Sequence, residues 1–384
     1  MGSLDEVELL RRLVAIDTTS DRSNLPLLDL VEEVLERPGV RRERFPSADG
    51  AKANLLVGLG PEGDGDGLLL CGHTDVVPAG GGGWRADPFL LRDEGDRWVA
   101  RGACDMKGFL ALAVARAARL EPAALRRPLV LLLTHDEEVG TLGAQRFVRA
   151  WSGRAPLPRA AVVGEPTSLR VVRLHKGHLR LEIELRGRSA HSSLPHLGRN
   201  AIEAAGRVLE TLRALRSQLE REVTPGAAEA FPEAPHVTLN VGRIAGGGAL
   251  NVVPEHCVIG VGLRPLPGMD GADLVERVRA AVAAALEGDG VAWSLEILGA
   301  SPPLASPPDA AACRALAAKV GPPEARGASF ASDAGPLQEL GLQPVLFGPG
   351  SIEAAHRPNE FLPRAEFERC GEVLDGLVRD LCVR

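Results

Sequence analysis

Apolar residues run almost without interruption through several short segments of the chain. Such runs precede His73 (LLLCG), His135 (PLVLLLT) and Glu165 (AAVVG). They are typical of strands in a parallel sheet that is covered on both faces. Between them lie segments with helical periodicity, among them FLALAVARAARL and GTLGAQRFVRAW. This alternation predicts an α/β fold with a doubly wound, mostly parallel sheet.

Two helices are predicted before the first strands. VELLRRLVAI follows Ser3 and Glu6, which have the spacing of a capping box. Asn24 precedes PLLDLVEEVLE and is expected to cap that helix. The segments RRERF and ANLLVGL are predicted to be short strands that lead into the sheet.

The pattern changes near residue 175. HLRLEIELRG alternates like a strand with one solvated face, and a long amphipathic helix follows it. Two further strands, a helix and the strand VAWSLEIL complete the order β-α-β-β-α-β of a ferredoxin-like domain. The helix AACRALAAKVG and the strand QPVLFGPG then return to the first pattern. We therefore predict a larger domain over 1–174 and 299–384, with a smaller α+β domain inserted over 175–298.

Composition narrows the range of partners and compartments. The chain has 384 residues and a net charge of −7, without a long basic run, so neither nucleic acid nor an anionic membrane is an expected partner. No apolar run is long enough to span a bilayer. The N-terminus lacks the features of a signal peptide, and the six cysteines are scattered without a CxxC pair. We expect a soluble, cytoplasmic protein.

Ionisable residues follow the predicted strands where those strands end. Because ligands of open α/β sheets bind at the C-terminal strand ends, we expect these side chains to converge at one edge of the sheet. They are His73, Asp105, Glu137, Glu138, Glu165 and His356.

Each of these residues, taken singly, also fits a structural role. Asp105 is well placed to cap the helix that follows it, Glu137 and Glu138 fit a solvated turn, and His356 fits a structural histidine. Together they fit a metal site better, because carboxylates buried close to one another are costly unless cations neutralise them. Two divalent cations, bridged by one carboxylate at about 3.5–4 Å from each other, would suit hydrolysis. The remaining glutamate would then serve as a general base.

A series of motifs supports this interpretation. In order along the chain they are GHTDVVP, WRADPF, GACDMKG, HDEE, VVGEPTSL, HKGH, SAHSS, NAIE, LNVGRIAGG, RPLPGM and GPGSIEAAHRPNEFL. They resemble the motifs of the acetylornithine deacetylase / succinyl-diaminopimelate desuccinylase / aminoacylase / carboxypeptidase G metallohydrolase family. The resemblance extends from about residue 50 to residue 363.

The resemblance implies two divalent metal ions, with zinc preferred and cobalt or manganese as alternatives. It assigns His73 and Glu165 to one ion, Glu138 and His356 to the other, and a bridging role to Asp105.

Two catalytic roles near the ions are also implied by the resemblance. Glu137 is the general base, and Asp75 orients the His73 imidazole through its second ring nitrogen. The resemblance further implies a cis peptide bond between Asp105 and Met106.

In the inserted domain, the resemblance implies a lid and a homodimer contact. It assigns His191 to the partner subunit's active site, where this histidine would help to hold the oxyanion. Asn251 and Arg264 match positions that contact the substrate, and Arg264 would grip an α-carboxylate in a bidentate fork. As alternatives, Arg264 fits a surface charge at a strand end and His191 fits a loop histidine.

The implied activity is removal of a small N-acyl group from an amino acid, with N²-acetyl-L-ornithine as the favoured substrate and ornithine as the product in arginine biosynthesis. The alternatives are a related deacylase (acting on N-acetylcitrulline, N-succinyl-diaminopimelate or acyl-amino acids in general), a metallo-exopeptidase, and a non-catalytic binding protein on the same scaffold. Glu165 favours a deacylase, because many peptidases have aspartate there. One departure is Ser332-Asp333-Ala334, which stands where a Thr-Glu-Ala run is expected and shortens the acidic side chain.

Overall fold

The computed structural model describes residues 5–80 and 82–383. The chain divides into two compact units. The first comprises Met1–Arg173, Ser306–Glu324 and Ser332–Arg384, and the second comprises Leu174–Ala305 and Ala325–Ala331. The second unit extends further than the 175–298 that we predicted. The strand predicted at its end continues to Ser301, and a short strand over Leu304–Ala305 follows it.

The described residues form the following strands: β1 (Val40–Pro46), β2 (Ala53–Leu59), β3 (Leu68–His73), β4 (Arg92–Asp93), β5 (Arg97–Val99), β6 (Leu129–Thr134), β7 (Ala160–Val163), β8 (Leu174–His175), β9 (His178–Arg186), β10 (Thr238–Gly246), β11 (His256–Arg264), β12 (Ala292–Ser301), β13 (Leu304–Ala305), β14 (Gln343–Leu346) and β15 (Phe361–Pro363). The α-helices are α1 (Glu6–Ala15), α2 (Leu25–Val34), α3 (Gly108–Arg119), α4 (Leu142–Trp151), α5 (Ala201–Leu219), α6 (Ala227–Ala230), α7 (Gly271–Ala285), α8 (Ala311–Val320), α9 (Ala334–Leu337) and α10 (Arg364–Val378).

A six-stranded sheet in the order β1-β2-β6-β3-β7-β14 forms the centre of the first unit. The four strands β6, β3, β7 and β14 run parallel, and β2 and β1 continue the sheet antiparallel. β3 and β6 are buried along their whole length, as their continuous apolar sequences predict. The predicted α/β fold class is confirmed.

Two predicted helix caps can be compared with the structure. Ser3 lies outside the described residues, and Asp5 caps α1 by accepting the Val7 N–H at 3.2 Å. The prediction that Asn24 caps α2 was wrong. Its side chain instead donates to the Ala53 carbonyl at 2.8 Å and to the Thr74 hydroxyl at 2.9 Å, so it joins the start of β2 to the end of β3.

The second unit contains an antiparallel sheet in the order β10-β11-β9-β12. Alternate residues of β9 are buried beneath α5 and α7, namely Leu179, Leu181, Ile183 and Leu185. The order of elements is the predicted ferredoxin-like one. Two small sheets were not predicted, β15-β5-β4 in the first unit and β13-β8 in the second, because their strands have only two or three residues each. None of the helices described is both long and apolar enough to cross a lipid bilayer.

Two glycines allow the segment after Asp105 to pack closely against the strand ends. A methyl group at Gly72 would lie 2.7 Å from Cε of Met106, and a methyl group at Gly164 would lie 2.0 Å from Cγ of Phe109. Both distances are far below van der Waals contact. Glycine at these positions therefore lets α3 support the backbone that leads into His73 and Glu165.

We expect Gly164→Ala to lower the free energy of unfolding of the first unit by about 1–3 kcal/mol, because the packed Phe109 ring would have to move. Calorimetry of the purified variant measures this loss. Gly206→Ala is the matched control, since Gly206 lies on an exposed face of α5 where no neighbouring side chain is within 4 Å. It should stabilise the second unit by about 0.5–1 kcal/mol through helix propensity. Wild-type stability in Gly164→Ala would contradict the packing argument.

Candidate metal centre

Three neighbouring parallel strands deliver ionisable side chains to the same edge of the sheet. β3 ends at His73, and β6 and β7 lie on either side of it. Glu137 and Glu138 follow the end of β6, and Glu165 follows the end of β7. The strand-end argument therefore places these four residues correctly relative to the sheet.

The structure brings the five expected ligand residues together in two groups. His73, Asp105 and Glu165 form one group, and Asp105, Glu138 and His356 form the other. Within each group one ligand atom per residue lies within 4.8 Å of the others. Asp105 belongs to both groups, since its Oδ1 is 3.0 Å from His73 Nε2 and its Oδ2 is 3.3 Å from His356 Nε2.

We expected all of these residues at strand ends, but two of them lie elsewhere. Asp105 lies in an irregular turn over Ala103–Lys107, whose Asp105-Met106 peptide bond is cis. It does not cap the following helix, because Lys107 occupies that position. His356 lies in the loop between β14 and β15, with a left-handed backbone (φ 60°).

The orientation of the His73 ring fits a cation. Nδ1 lies 2.9 Å from the Asp75 backbone carbonyl, to which it donates its hydrogen. In the neutral ring the Nε2 lone pair then points at Asp105 Oδ1, also an acceptor, only 3.0 Å away. Two acceptors at this distance require positive charge between them or on the ring. A metal ion that binds both atoms would supply it.

Burial and mutual repulsion raise the pKa of the glutamates. Burial is the largest cause of the raised pKa of both Glu137 and Glu165; the Glu165 charge adds to it for Glu137, and the Asp105 charge adds to it for Glu165. The pKa of Glu138 is also raised, by burial and then by Asp105. In addition, Glu165 Oε1 is buried without a hydrogen-bond partner among the described residues. The cluster thus has more carboxylate charge than its imidazoles neutralise.

The pKa of the His356 imidazole is raised as well, which favours its charged form. Hydrogen bonds to Asp105 and Glu138 raise the pKa of His356 to about 10. Burial opposes ionisation of Asp105, but the bonds from His356 and His73 outweigh it and lower the pKa of that carboxyl. Such a set of oxygen and imidazole donors around a deficit of positive charge fits two divalent cations.

Asp75 contacts the site differently from the expectation. Its carboxylate is 3.9 Å from His73 Nδ1, so the ring is oriented by the Asp75 backbone carbonyl and not by the side chain. The carboxylate instead accepts the backbone N–H of Glu137 at 3.1 Å and that of Glu138 at 3.3 Å. Asp75 therefore holds the turn that presents both glutamates.

A second set of contacts behind this turn was missed from the sequence. The Ser20 hydroxyl donates to Asp75 Oδ2 at 2.8 Å. The Lys52 ammonium donates to the Ser20 carbonyl and to the Asp136 carboxylate. Asp136 precedes Glu137 and has a left-handed backbone (φ 57°). Neither Ser20 nor Lys52 follows an apolar strand, so the strand-end criterion gave no signal for them.

Asp333, the shortened acid, is 1% exposed. Its Oδ2 accepts the Thr134 hydroxyl at 2.5 Å, at the end of β6. Burial raises its pKa to about 6, against the lowering effect of Thr134. One carboxylate oxygen is therefore engaged at the end of β6, while Oδ1 is buried without a hydrogen-bond partner among the described residues.

The remaining expected site residues lie in the second unit. His191 and Asn251 are exposed and adjacent, since the N–H of Ser192 donates to the Asn251 carbonyl at 2.9 Å. The N–H of Ser193 donates to His191 Nδ1 at 3.1 Å, so in the neutral ring the hydrogen is on Nε2. Arg264 is the last residue of β11 and is partly buried.

Comparison with known proteins agrees with this geometry. The family model described as Peptidase family M20/M25/M40 matches residues 69–380. The acetylornithine deacetylase of Myxococcus xanthus is 40% identical over 380 residues, which cover 97% of this chain and 96% of the relative. That of Pasteurella multocida (strain Pm70) is 36% identical over 369 residues, covering 96% and 94% respectively.

Solved structures show the same fold at low sequence identity. The M20 family metallo-carboxypeptidase Sso-CP2 from Sulfolobus solfataricus superposes with a TM-score of 0.79 at 19% identity, covering 98% of both chains. The Bacillus subtilis YXEP protein, described as a dinuclear metal binding peptidase from the M20 family, gives 0.69 at 16% identity, covering 98% of this chain and 97% of that one. The predictions of a hydrolase and of the metallohydrolase resemblance are confirmed, and the chain belongs to the peptidase family M20/M25/M40.

Proposed function

We propose that this protein is a dinuclear metal amidohydrolase that hydrolyses N²-acetyl-L-ornithine to acetate and L-ornithine, the step that would supply ornithine for arginine biosynthesis. The observation that carries the reaction class is the Asp105 carboxylate, which offers one oxygen to each of two ligand groups. The substrate is supported by relatives named acetylornithine deacetylase, which are 34–40% identical over nearly the whole chain.

In this proposal, one ion is held by His73, Asp105 and Glu165, and the other by Asp105, Glu138 and His356. Zinc is the preferred ion, because imidazoles and carboxylates are common zinc ligands, and cobalt or manganese would fit the same donors. When bound, the ions would polarise the amide carbonyl and lower the pKa of a water molecule to about 7.

Glu137 then serves as the general base. It takes a proton from the attacking water and returns that proton to the amine nitrogen as the C–N bond breaks. Its position depends on Asp75, whose carboxylate accepts the Glu137 backbone N–H. Glu137 suits this role because it lies next to Glu138 and yet is not needed to complete either ligand group.

Three residues of the second unit would bind the substrate. The outward Nε2–H of His191 is the group that would donate to the carbonyl oxygen as negative charge develops there. The Arg264 guanidinium would form two hydrogen bonds with the α-carboxylate, and Asn251 would contact the same substrate.

We also propose that the protein is a homodimer, formed through the second unit. Large apolar side chains are exposed there: Ile202 is 42% exposed, Ile244 49% and Leu250 103%. Ile244 lies on β10, an edge strand of the sheet, and Ile202 and Leu250 line an open pocket of about 570 Å³. An exposed sheet edge with apolar neighbours favours pairing with a second copy.

The first test is a substrate panel. The purified protein, loaded with zinc or cobalt, should hydrolyse N²-acetyl-L-ornithine with a higher kcat/KM than N-acetylcitrulline, N-succinyl-diaminopimelate or a dipeptide, as chromatographic quantification of the released amino acid measures. A preference for another acyl-amino acid would replace the substrate but keep the reaction class. Faster cleavage of the dipeptide would establish an exopeptidase.

The second test separates metal binding from catalysis. Glu137→Ala should retain both ions, because Glu137 is in neither ligand group, while kcat falls by about 10²–10⁴-fold with the loss of the general base. His356→Ala should lose one ion, since only one group contains it. Metal content measured by plasma emission spectrometry, with kcat from the same samples, checks both. Near-normal turnover in Glu137→Ala would remove Glu137 as the base.

The third test addresses the shared site. His191→Ala and Glu137→Ala chains should each be inactive alone. If His191 acts on the partner subunit, co-refolding equal amounts should restore about a quarter of wild-type activity, because half of the dimers are mixed and each mixed dimer has one complete site. Light scattering confirms the dimer in each sample. Absence of recovery in a mixed dimer would place His191 outside the partner's site.

A further inference from the structure

The Glu360 carboxylate accepts four hydrogen bonds in the interior of the first unit. Oε1 accepts the backbone N–H groups of Cys104 at 2.9 Å and Asp105 at 3.0 Å. Oε2 accepts the Gly102 N–H at 3.1 Å and Arg101 Nη1 at 2.7 Å. Glu360 is 1% exposed. Each oxygen thus has two donors, and the Arg101 cation balances the charge.

These bonds fix the turn that carries Asp105. The turn has no regular helical or sheet geometry, because Asp105 has φ −122° and ψ 93° and Gly102 has a left-handed backbone (φ 75°). The main-chain N–H groups of Gly102, Cys104 and Asp105 therefore need an acceptor from elsewhere in the chain. Glu360 provides that acceptor for all three.

Glu360 also lies close in sequence to the other side of the site. It comes four residues after His356 and directly before β15, which pairs with β5. Its backbone carbonyl accepts the Ala100 N–H at 3.0 Å. The loop with His356 and the turn with Asp105 are consequently joined at this residue.

We propose that Glu360 is a positioning residue that fixes the Asp105 carboxylate between the two cation sites and holds the His356 loop in register with it. The inference rests on the proposed function, since it concerns Asp105, the carboxylate that is proposed to bind both ions. It extends that function by assigning a role to a residue that belongs to neither ligand group. The role requires both oxygens, because three N–H donors and one guanidinium cannot be satisfied by a single one.

Glu360→Gln tests the inference with little change in side-chain volume. Its amide oxygen can accept from one pair of donors, and its NH₂ group then faces the other pair. We expect the affinity for both ions to fall by about 10–100-fold, the usual cost of losing a group that orients a metal ligand. Isothermal titration of the apo protein with zinc or cobalt measures the affinity, and circular dichroism establishes that each variant is folded. Activity should return as the metal concentration is raised, and kcat should then approach the wild-type value.

Glu360→Asp is the second variant, for use if Glu360→Gln does not fold. It keeps the charge on a side chain that is one methylene shorter. Its loss of affinity for both ions should be smaller than that of Glu360→Gln. Glu6→Gln is the matched control. Glu6 is a partly buried carboxylate that likewise accepts hydrogen bonds from arginine, from Arg116 at 3.1 Å and Arg119 at 2.7 Å, but it has no hydrogen bond to the Asp105 turn. It should bind both ions with wild-type affinity.

The outcomes separate the inference from the proposed function. Wild-type affinity for both ions in a folded Glu360→Gln or Glu360→Asp protein would overturn the positioning role and leave the hydrolase intact. An equal loss of affinity in Glu6→Gln would overturn it too, because the effect would then be general destabilisation. A wild-type protein that binds no divalent ions would overturn both proposals together.

Discussion

The crowding of carboxylates at the ends of three parallel strands is the constraint on which the first unit depends. Neighbouring strands lie about 4.8 Å apart, so residues at their ends cannot separate without breaking the sheet. Burial raises the pKa of Glu137 and Glu165, and repulsion from the neighbouring carboxylates raises it further. Two cations bound in the two ligand groups would convert the same geometry from repulsive to attractive. The positions of the strands thereby favour the binding of divalent ions.

The turns around the ligands are held by carboxylates of a different kind. Asp75 accepts the backbone N–H groups of Glu137 and Glu138, and Glu360 accepts those of Gly102, Cys104 and Asp105. In both cases a buried carboxylate accepts hydrogen bonds from the main chain of an irregular turn. The side chains of that turn are not used in these bonds. Carboxylate bonds to backbone N–H groups are charge-assisted and directional, so they restrain a turn more firmly than water could. The same arrangement therefore occurs on both sides of the site.

The sequence predicted the parts of the site that follow from periodicity. Continuous apolar runs locate β3, β6 and β7, and strand ends then locate His73, Glu137, Glu138 and Glu165. The same criterion also selected Asp105 and His356, and the motif resemblance pointed to them too, but the structure places both in irregular loops and not at strand ends. The contacts of Asp75 and Glu360 could not be predicted, because their partners are 62 residues and about 255 residues away in sequence. Asn24 shows the same limit. Its position before a helix suggested a cap. Its side chain instead donates hydrogen bonds at the start of β2 and at the end of β3, which only the tertiary fold brings close to it.

Reaction class and substrate rest on different parts of the molecule. The two ligand groups and the proposed general base Glu137 belong to the first unit, and with both ions bound this set would act on any amide whose carbonyl reaches them. Similarity to peptidase structures at 16–20% identity shows the common fold and does not choose among substrates. The proposed substrate is supported by relatives that are 34–40% identical, and the proposed function assigns its recognition to Arg264 and Asn251. Asp333 is hydrogen-bonded to Thr134 through Oδ2 and is almost wholly buried, whereas its Oδ1 has no hydrogen-bond partner among the described residues. The departure from the expected Thr-Glu-Ala run is thus a change in a buried carboxylate at the end of β6, and the proposal of N²-acetyl-L-ornithine rests on the relatives and not on this residue.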